Sequence, residues 1–392
     1  MRWSWLGVVM WIGGGAWAFA GEWSGYIALE GRHFFEDPVD TRQHGDNLSI
    51  SFEPEYAQEW DDGRQLLTFV PYLRLDGHDS ERTHFDIREL TWEKAARHWE
   101  LRLGIRKLFW GVTESRHLVD IINQTDLVEN PDGEDKLGQP MINLALIRNW
   151  GTVDLYLMPW FRERYFPGRE GRLRSPLPVA VNEARYESGA EDQHLDWAVR
   201  WSHSVDIWDI GLSYFDGTAR DPRLLPEFVG GEPMLVPYYD QLQQAGLDVQ
   251  ATLDAWLWKL EVVSRHDSRG RSSAFTGGFE YTFYGIIGDG DLGVLAEYSF
   301  DDLGDDLAVM DDDLFLGARF TLNDAQSSEL LAGVILDLGG DGRLFSVEAN
   351  RRLGEDWKIS LEARFFSAIP NAKPLTGLRR DDYLQLELAR YF

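Results

Sequence analysis

From Trp99 to Arg106 the chain alternates without a fault. Trp99, Leu101, Leu103 and Ile105 fall on one side of an extended strand, and Glu100, Arg102, Gly104 and Arg106 on the other. Comparable two-residue alternation runs on almost to Phe392. A chain that is two-faced over most of its length reads as sheet. Its apolar face has to be covered, either by a second protein layer or by lipid.

The connections decide between these. Alternating runs occupy 23–35, 48–60, 65–76, 85–94, 99–109, 142–149, 153–164, 195–203 and 207–216. They continue over 238–252, 256–266, 274–284, 292–300, 313–322, 329–338, 344–351, 357–366 and 383–392, making eighteen strands. Sixteen is the nearest alternative, because 238–252 and 329–338 carry the weakest pattern. Every second connection is short and turn-like, as at Asp61-Asp62-Gly63-Arg64, Asn149-Trp150-Gly151, Gly288-Asp289-Gly290 and Gly354-Glu355-Asp356. Several of the others are long: 111–141, 167–193, 217–237 and 367–382. Bacterial outer-membrane barrels have short periplasmic turns and longer loops outside. The sequence therefore predicts an all-β fold: one closed, antiparallel, up-and-down transmembrane barrel of about eighteen strands over 21–392. Closure leaves no unpaired strand edge in lipid.

The two ends agree. Met1-Arg2 precedes an apolar stretch and the small-residue site Ala18-Phe19-Ala20, which reads as a secretory signal over 1–20 cleaved after Ala20. No later run of eighteen apolar residues marks a membrane helix. The chain has no cysteine, and so no disulfide framework, thiolate metal site or lipid-anchoring thiol. Its 17 Trp, 14 Tyr and 21 Phe suit the aromatic girdles of a membrane barrel. The formal charge of −28 excludes nucleic acid as a partner. Acids cluster in loop-like stretches such as Asp305-Asp306 and Asp311-Asp312-Asp313, where they are solvated.

The last strand, Tyr383 to Phe392, places Leu384, Leu386 and Leu388 on one face and ends in Phe. It resembles the terminal strand of bacterial outer-membrane proteins, with Arg390 where an apolar residue is usual. The resemblance implies recognition by the barrel-assembly machinery and residence in the outer membrane of a Gram-negative bacterium, among phospholipid and lipopolysaccharide. More narrowly, residues 103–114 (Leu-Gly-Ile-Arg-Lys-Leu-Phe-Trp-Gly-Val-Thr-Glu) followed by 118–123 (Leu-Val-Asp-Ile-Ile-Asn) resemble a porin-like family of unknown function. Residues 246–250 and 255–261 also resemble that family, which is related in outline to alginate-export barrels. Gln124-Thr125 stands where that family has Asn-adjacent Pro, and the resemblance brings no substrate with it.

Alternation predicts the lumen wall. Glu100, Asp154, Glu261, Glu280 and Glu297 supply acids, and Arg102, Arg106, Arg162, Arg200, Arg319 and Arg364 supply bases. Interleaved signs form cross-strand ion pairs along a wet wall, or a polarised constriction that orients solutes. The loop 111–141 is the third outer connection, and in porins this loop folds inward. Leu118, Val119, Ile121 and Ile122 need a wall to rest on, since each costs roughly 1.5–3 kcal/mol if left in water. Arg116, His117, Asp120, Asn123 and Asp126 are then expected to face the solute path, with Arg116, His117 and Asp120 opposite Arg102 and Arg106.

The expected function is a porin-like channel for passive diffusion of small polar or charged solutes, with no cofactor and no metal. A non-conducting structural or interaction barrel that partners an export system is the alternative. An outer-membrane lipid hydrolase is a third class. Ser202 and His203 are adjacent, so on a strand they point to opposite faces and form no local catalytic pair. Oligomeric state and solute have no signature in the sequence.

Overall fold

A computed structural model describes residues 21–303, 311–369 and 374–392. The signal segment 1–20 lies outside the described residues. The barrel strands are β1 (Glu22–Phe34), β2 (Asp46–Trp60), β3 (Gln65–Asp76), β4 (His84–Ala96), β5 (Trp99–Arg106), β6 (Gln139–Arg148) and β7 (Gly151–Met158). After a short β8 (Arg185–Tyr186) come β9 (Asp196–Val205) and β10 (Trp208–Thr218). The hairpin β11 (Arg223–Val229) and β12 (Glu232–Tyr239) follows. The barrel resumes with β13 (Gln241–Leu253), β14 (Trp256–Asp267), β15 (Gly270–Ile287), β16 (Gly290–Asp301) and β17 (Asp312–Thr321). It ends with β18 (Glu329–Asp337), β19 (Arg343–Leu353), β20 (Trp357–Ser367) and β21 (Tyr383–Tyr391).

Eighteen of these strands form one antiparallel sheet in which each pairs with its neighbour in the barrel sequence, and β21 pairs back onto β1. Each of the eighteen predicted runs corresponds to one of them. Most ends differ by a residue or two; the strands of 142–149 and 274–284 are longer, starting at Gln139 and spanning Gly270–Ile287, and three runs are shortened by three residues or more. The run 153–164 stops at Met158 because Pro159 has no N–H for the ladder. Arg162 therefore belongs to a loop and not to a strand. The run 99–109 stops at Arg106. The run 238–252 starts at Gln241, because Tyr238 and Tyr239 belong to β12. The hairpin β11–β12 and its parallel partner β8 form a small separate sheet in stretches whose sequence has the character of loops.

The outward face is apolar and exposed along the whole belt, as at Leu29, Leu48, Trp99, Leu157, Trp197, Leu212, Trp258, Val294, Leu316, Leu330, Phe345 and Leu386. A soluble protein does not present an apolar surface of that extent. With every strand edge paired by closure, this surface is the lipid-facing belt of a transmembrane barrel. Trp60, Trp99, Trp208, Trp256 and Trp357 each stand at the strand end next to a short turn. Together they mark the membrane interface on the periplasmic side. Trp197, Val199 and Trp201 alternate with inward Asp196, Ala198 and Arg200, of which the first two are buried and Arg200 pairs with Asp248 over Gly211 of the intervening β10. Leu101 and Leu103 likewise alternate with Arg102, which bonds to Glu93 and Asn143 inside. Trp256 and Trp258 stack on each other on the outer face.

One irregularity matters for the interior. The pairing of β3 with β4 slips at Val70/Pro71, leaving Arg88 as an extra residue on β4. Such a bulge reverses the inward–outward parity. Thr91 faces inward below it, while Asp86 and Arg88, both buried, face inward above it.

This register is tested by single cysteines in the cysteine-free chain. At Arg102→Cys and Arg106→Cys a membrane-impermeant maleimide should label the protein in bilayers. At Leu101→Cys, Leu103→Cys, Trp197→Cys and Trp258→Cys labelling should be absent. The reverse pattern on β5 would shift its register by one residue.

Candidate functional site: the loop across the lumen

Residues 107–138, between β5 and β6, turn into the barrel. Polar side chains first fold this loop on itself. Asp120 accepts the backbone N–H groups of Trp110 (2.6 Å) and Gly111 (2.9 Å). Asn123 accepts from the N–H of Leu108 (2.9 Å) and donates to the carbonyls of Arg106 (2.7 Å) and Leu137 (2.9 Å). These contacts stand in for ladder bonds that the non-strand backbone cannot make.

The apolar residues then seat the loop. Trp110, Leu118, Val119, Ile121 and Ile122 pack with Met141, Tyr156, Met158, Phe215, Leu242 and Val263 from the wall. Val119 is 0% exposed and lies beside Gly246, whose missing side chain makes room for it. This hydrophobic core inside the barrel covers the side built by β6 to β14.

Across the lumen the loop is held by two buried acids. Glu261 on β14, 0% exposed, accepts the N–H groups of Val112 (2.7 Å), Thr113 (3.0 Å) and Val119 (3.1 Å) and the Thr113 hydroxyl (2.7 Å). Glu297 on β16, 2% exposed, accepts those of Glu114 (2.8 Å) and Ser115 (2.8 Å) and the Ser115 hydroxyl (2.7 Å). Charge-assisted bonds of this kind are about twice as strong as neutral ones. Arg116 pairs with Asp301 on β16 (2.7 Å), and Glu114 with Arg319 on β17 (2.7 Å).

The return limb is fixed on the opposite side. Asp126 pairs with Arg88 on β4 (2.8 Å). Glu129 accepts from Tyr72 (2.8 Å) and pairs with Arg74 on β3 (2.8 Å). Arg74 and Arg82 both reach Glu30 on β1 (2.9 and 2.8 Å), and Arg82 donates to the carbonyl of Val128 (2.8 Å). Asn130 donates to Glu362 (3.1 Å), and Arg364 on β20 pairs with Asp132 (2.6 Å). The loop thus spans the lumen and is tied to strands around most of its circumference. His84, Asp126 and Glu129 cluster tightly enough to hold a cation, yet both carboxylates already carry arginines.

A second loop, 159–195, crosses above it from β7. Arg162 reaches Asp86 (2.8 Å) and the Gly138 carbonyl (2.8 Å). Asp79, in the loop between β3 and β4, accepts from the N–H of Gly168 (3.0 Å). Arg172 and the Leu173 N–H meet Asp381, next to β21 (2.7 and 2.9 Å). This loop bridges the outer mouth from one side to the other.

The expected site residues therefore fall into groups. Arg116 and His117 lie at the β14–β16 wall, across the barrel from Arg102 and Arg106. Arg102 is held by Glu93 (2.7 Å), Glu100 and Asn143. Arg106 donates to Asn143 (3.0 Å), which in turn donates to Asp154 (3.1 Å). Arg200 pairs with Asp248 (2.6 Å), and Arg319 approaches Glu280 at 3.9 Å. Asp120 and Asn123 are engaged in folding the loop. The cluster of Glu30, Arg74, Arg82, Arg88 and Glu129 was not anticipated. Glu30 and Arg74 were legible from inward alternation; Arg88 was hidden by the bulge. His203 sits by Trp201, and Ser202 is one residue away on the other face.

His117 stands between Glu134 (3.2 Å) and Glu261 (3.8 Å). Burial pushes its pKa down, but the two carboxylates outweigh burial and lift it to about 10. A raised histidine stabilises the fold fully below its unfolded pKa, and that contribution is lost as pH rises through the folded value. The loop should therefore become sensitive to limited proteolysis only as pH approaches 10. In His117→Gln the sensitivity should be present already at pH 7. Glu261→Ala, which strands three backbone donors, should lower stability by roughly 3 kcal/mol in urea unfolding; a change under about 0.5 kcal/mol would mean that the contacts are not made.

No protein-family model and no curated protein matches the chain. Solved structures do. Wzi of Escherichia coli, described as an outer-membrane, carbohydrate-binding β-barrel involved in group 1 capsule assembly, aligns with a TM-score of 0.54 at 9% identity, covering 93% of this chain and 84% of that one. A triple mutant of the Rhodopseudomonas blastica porin aligns at 0.45 with 13% identity, covering 95% and 100%. The feature shared with the Escherichia coli barrel is the fold, a closed β-barrel of the outer membrane.

Proposed function

We propose that the protein is a narrow, cation-preferring channel in which small solutes pass beside the fixed loop, along the wall formed by β17 to β20. The observation that carries this reading is Glu348. Its side chain faces the interior beside Arg364 (3.1 Å), yet is 47% exposed, whereas Glu261 on β14 and Glu297 on β16 are covered by the loop. Glu114, Glu280, Glu329, Glu362 and Asp132 lie along the same side, against Arg319, Arg364 and Lys259. Water in such a confined path is scarce, so a small excess of fixed acid weighs more on a passing ion than the same charge in bulk. Charges on the outer loops are screened within about 8–10 Å.

The bridge made by 159–195 favours a second reading, a barrel that does not conduct and that binds an extended polymer at its outer face. The carbohydrate-binding description of the Escherichia coli barrel belongs with this reading.

Planar-bilayer recording separates the two. The channel reading expects small, cation-selective steps. Deleting 112–126 should raise conductance several-fold. Glu348→Lys should move the reversal potential toward anions more than Asp341→Lys, which changes an exposed acid of the outer connection between β18 and β19. A protein that inserts without conducting refutes the channel, and binding of acidic polysaccharide by that protein would then support the second reading.

A further inference from the structure

The lipid-facing belt has a notch at its closing seam. On the outer half of β1 the outward positions are Ile27, Leu29, Gly31 and His33, and of these Gly31 offers no side chain. Its cross-strand neighbours are Leu48 on β2 and Leu386 on β21, both exposed. A Cβ placed on Gly31 meets nothing within 4 Å. The result is an open groove of about 450 Å³. Its floor and flanks are Gly31, Leu48, Leu384 and Leu386, and its outer end is polar, made by His33, Asp46, Asn47 and His78.

Position fixes what this groove meets. Gly31 is three residues from the outer end of β1, roughly 10 Å along a strand. The apolar part therefore sits at the depth of outer-leaflet acyl chains, and the polar end at the depth of their head groups. Void in a hydrocarbon layer forfeits dispersion contacts on every lining atom, so an acyl chain fills it. The outer end gathers imidazoles: His33 bonds to Asp46, and His44 stacks on His78 with ring centroids 3.8 Å apart. Imidazole and amide N–H groups donate to phosphate oxygens, which only accept.

We propose that the groove at Gly31 is a binding site for one acyl chain of a phosphorylated glycolipid of the outer leaflet, with the head group held by His33, Asn47 and His78. The site requires only that the belt face lipid, and it is independent of whether the lumen conducts. Its shape is specific in one respect: of the residues that line it, Gly31 alone leaves room for a chain to lie flat against the backbone.

The test is native mass spectrometry of the full chain extracted from outer membranes in mild detergent. The wild type should retain a glycolipid adduct through detergent exchange. Gly31→Leu, whose Cβ has open space, fills the notch and should cut retained adduct by about tenfold or more. The His33→Ala/His78→Ala double variant should retain the fold and lose most of the adduct, and it decides the matter if Gly31→Leu fails to show the heat-modifiable band of a folded barrel. Leu316→Phe, on β17, should match the wild type. Equal retention in Gly31→Leu and the wild type would overturn the proposal, as would an adduct consisting of phospholipid alone.

Discussion

Closure governs this molecule. A strand edge left open in hydrocarbon carries unpaired N–H and C=O groups, each costing several kcal/mol. Nine residue pairs from Tyr26/Tyr391 to Phe34/Tyr383 join the last strand to the first and remove that cost. Once the sheet is a cylinder, every residue has one of two fates, lipid or lumen. The apolar belt, the tryptophans at the periplasmic strand ends and the charged interior all follow from that division.

The interior then poses a different problem. Eighteen strands enclose more space than wall side chains alone can fill. Here it is filled in two ways. One side is packed with hydrophobic residues contributed by the 107–138 loop. The other is filled by arginines and carboxylates that neutralise one another, centred on Glu30, Arg74, Arg82 and Glu129. Buried ion pairs are weak evidence for stability by themselves. Their consequence here is positional, because each cation reaches more than one partner and so leaves the loop little freedom.

The strands were legible because lipid enforces a period of two on one face and polarity on the other. Trp99 to Arg106 shows it with no structure needed. Boundaries were legible only where a turn residue stood. Pro159 ends β7 in the structure, but in the sequence Leu157 to Arg164 still alternates well enough to read as strand. The inward course of the third loop was readable from Ile121 and Ile122, which no solvated tip would carry. Its fastenings were not. Glu261 looked like one more lumen acid, and nothing in its neighbourhood of sequence says that its partners are backbone groups of residues 112, 113 and 119. Such contacts depend on register between strands far apart in the chain. Arg88 was hidden for another reason, since a bulge shifts parity without altering composition.

The fastening of the loop also carries an order in time. The loop leaves the wall after β5, but the acids that hold it belong to β14 and β16, 149 and 183 residues further along the chain. Contacts of such separation form late, because a long closure has to be completed before they return any energy. While the early strands assemble, the loop therefore has its near-side partners and no far wall. Its apolar quartet is then sheltered only by what β6 and β7 provide. Seating of the loop must accompany the curling of the second half of the sheet, so the barrel closes around an occupant that belongs to its own first third.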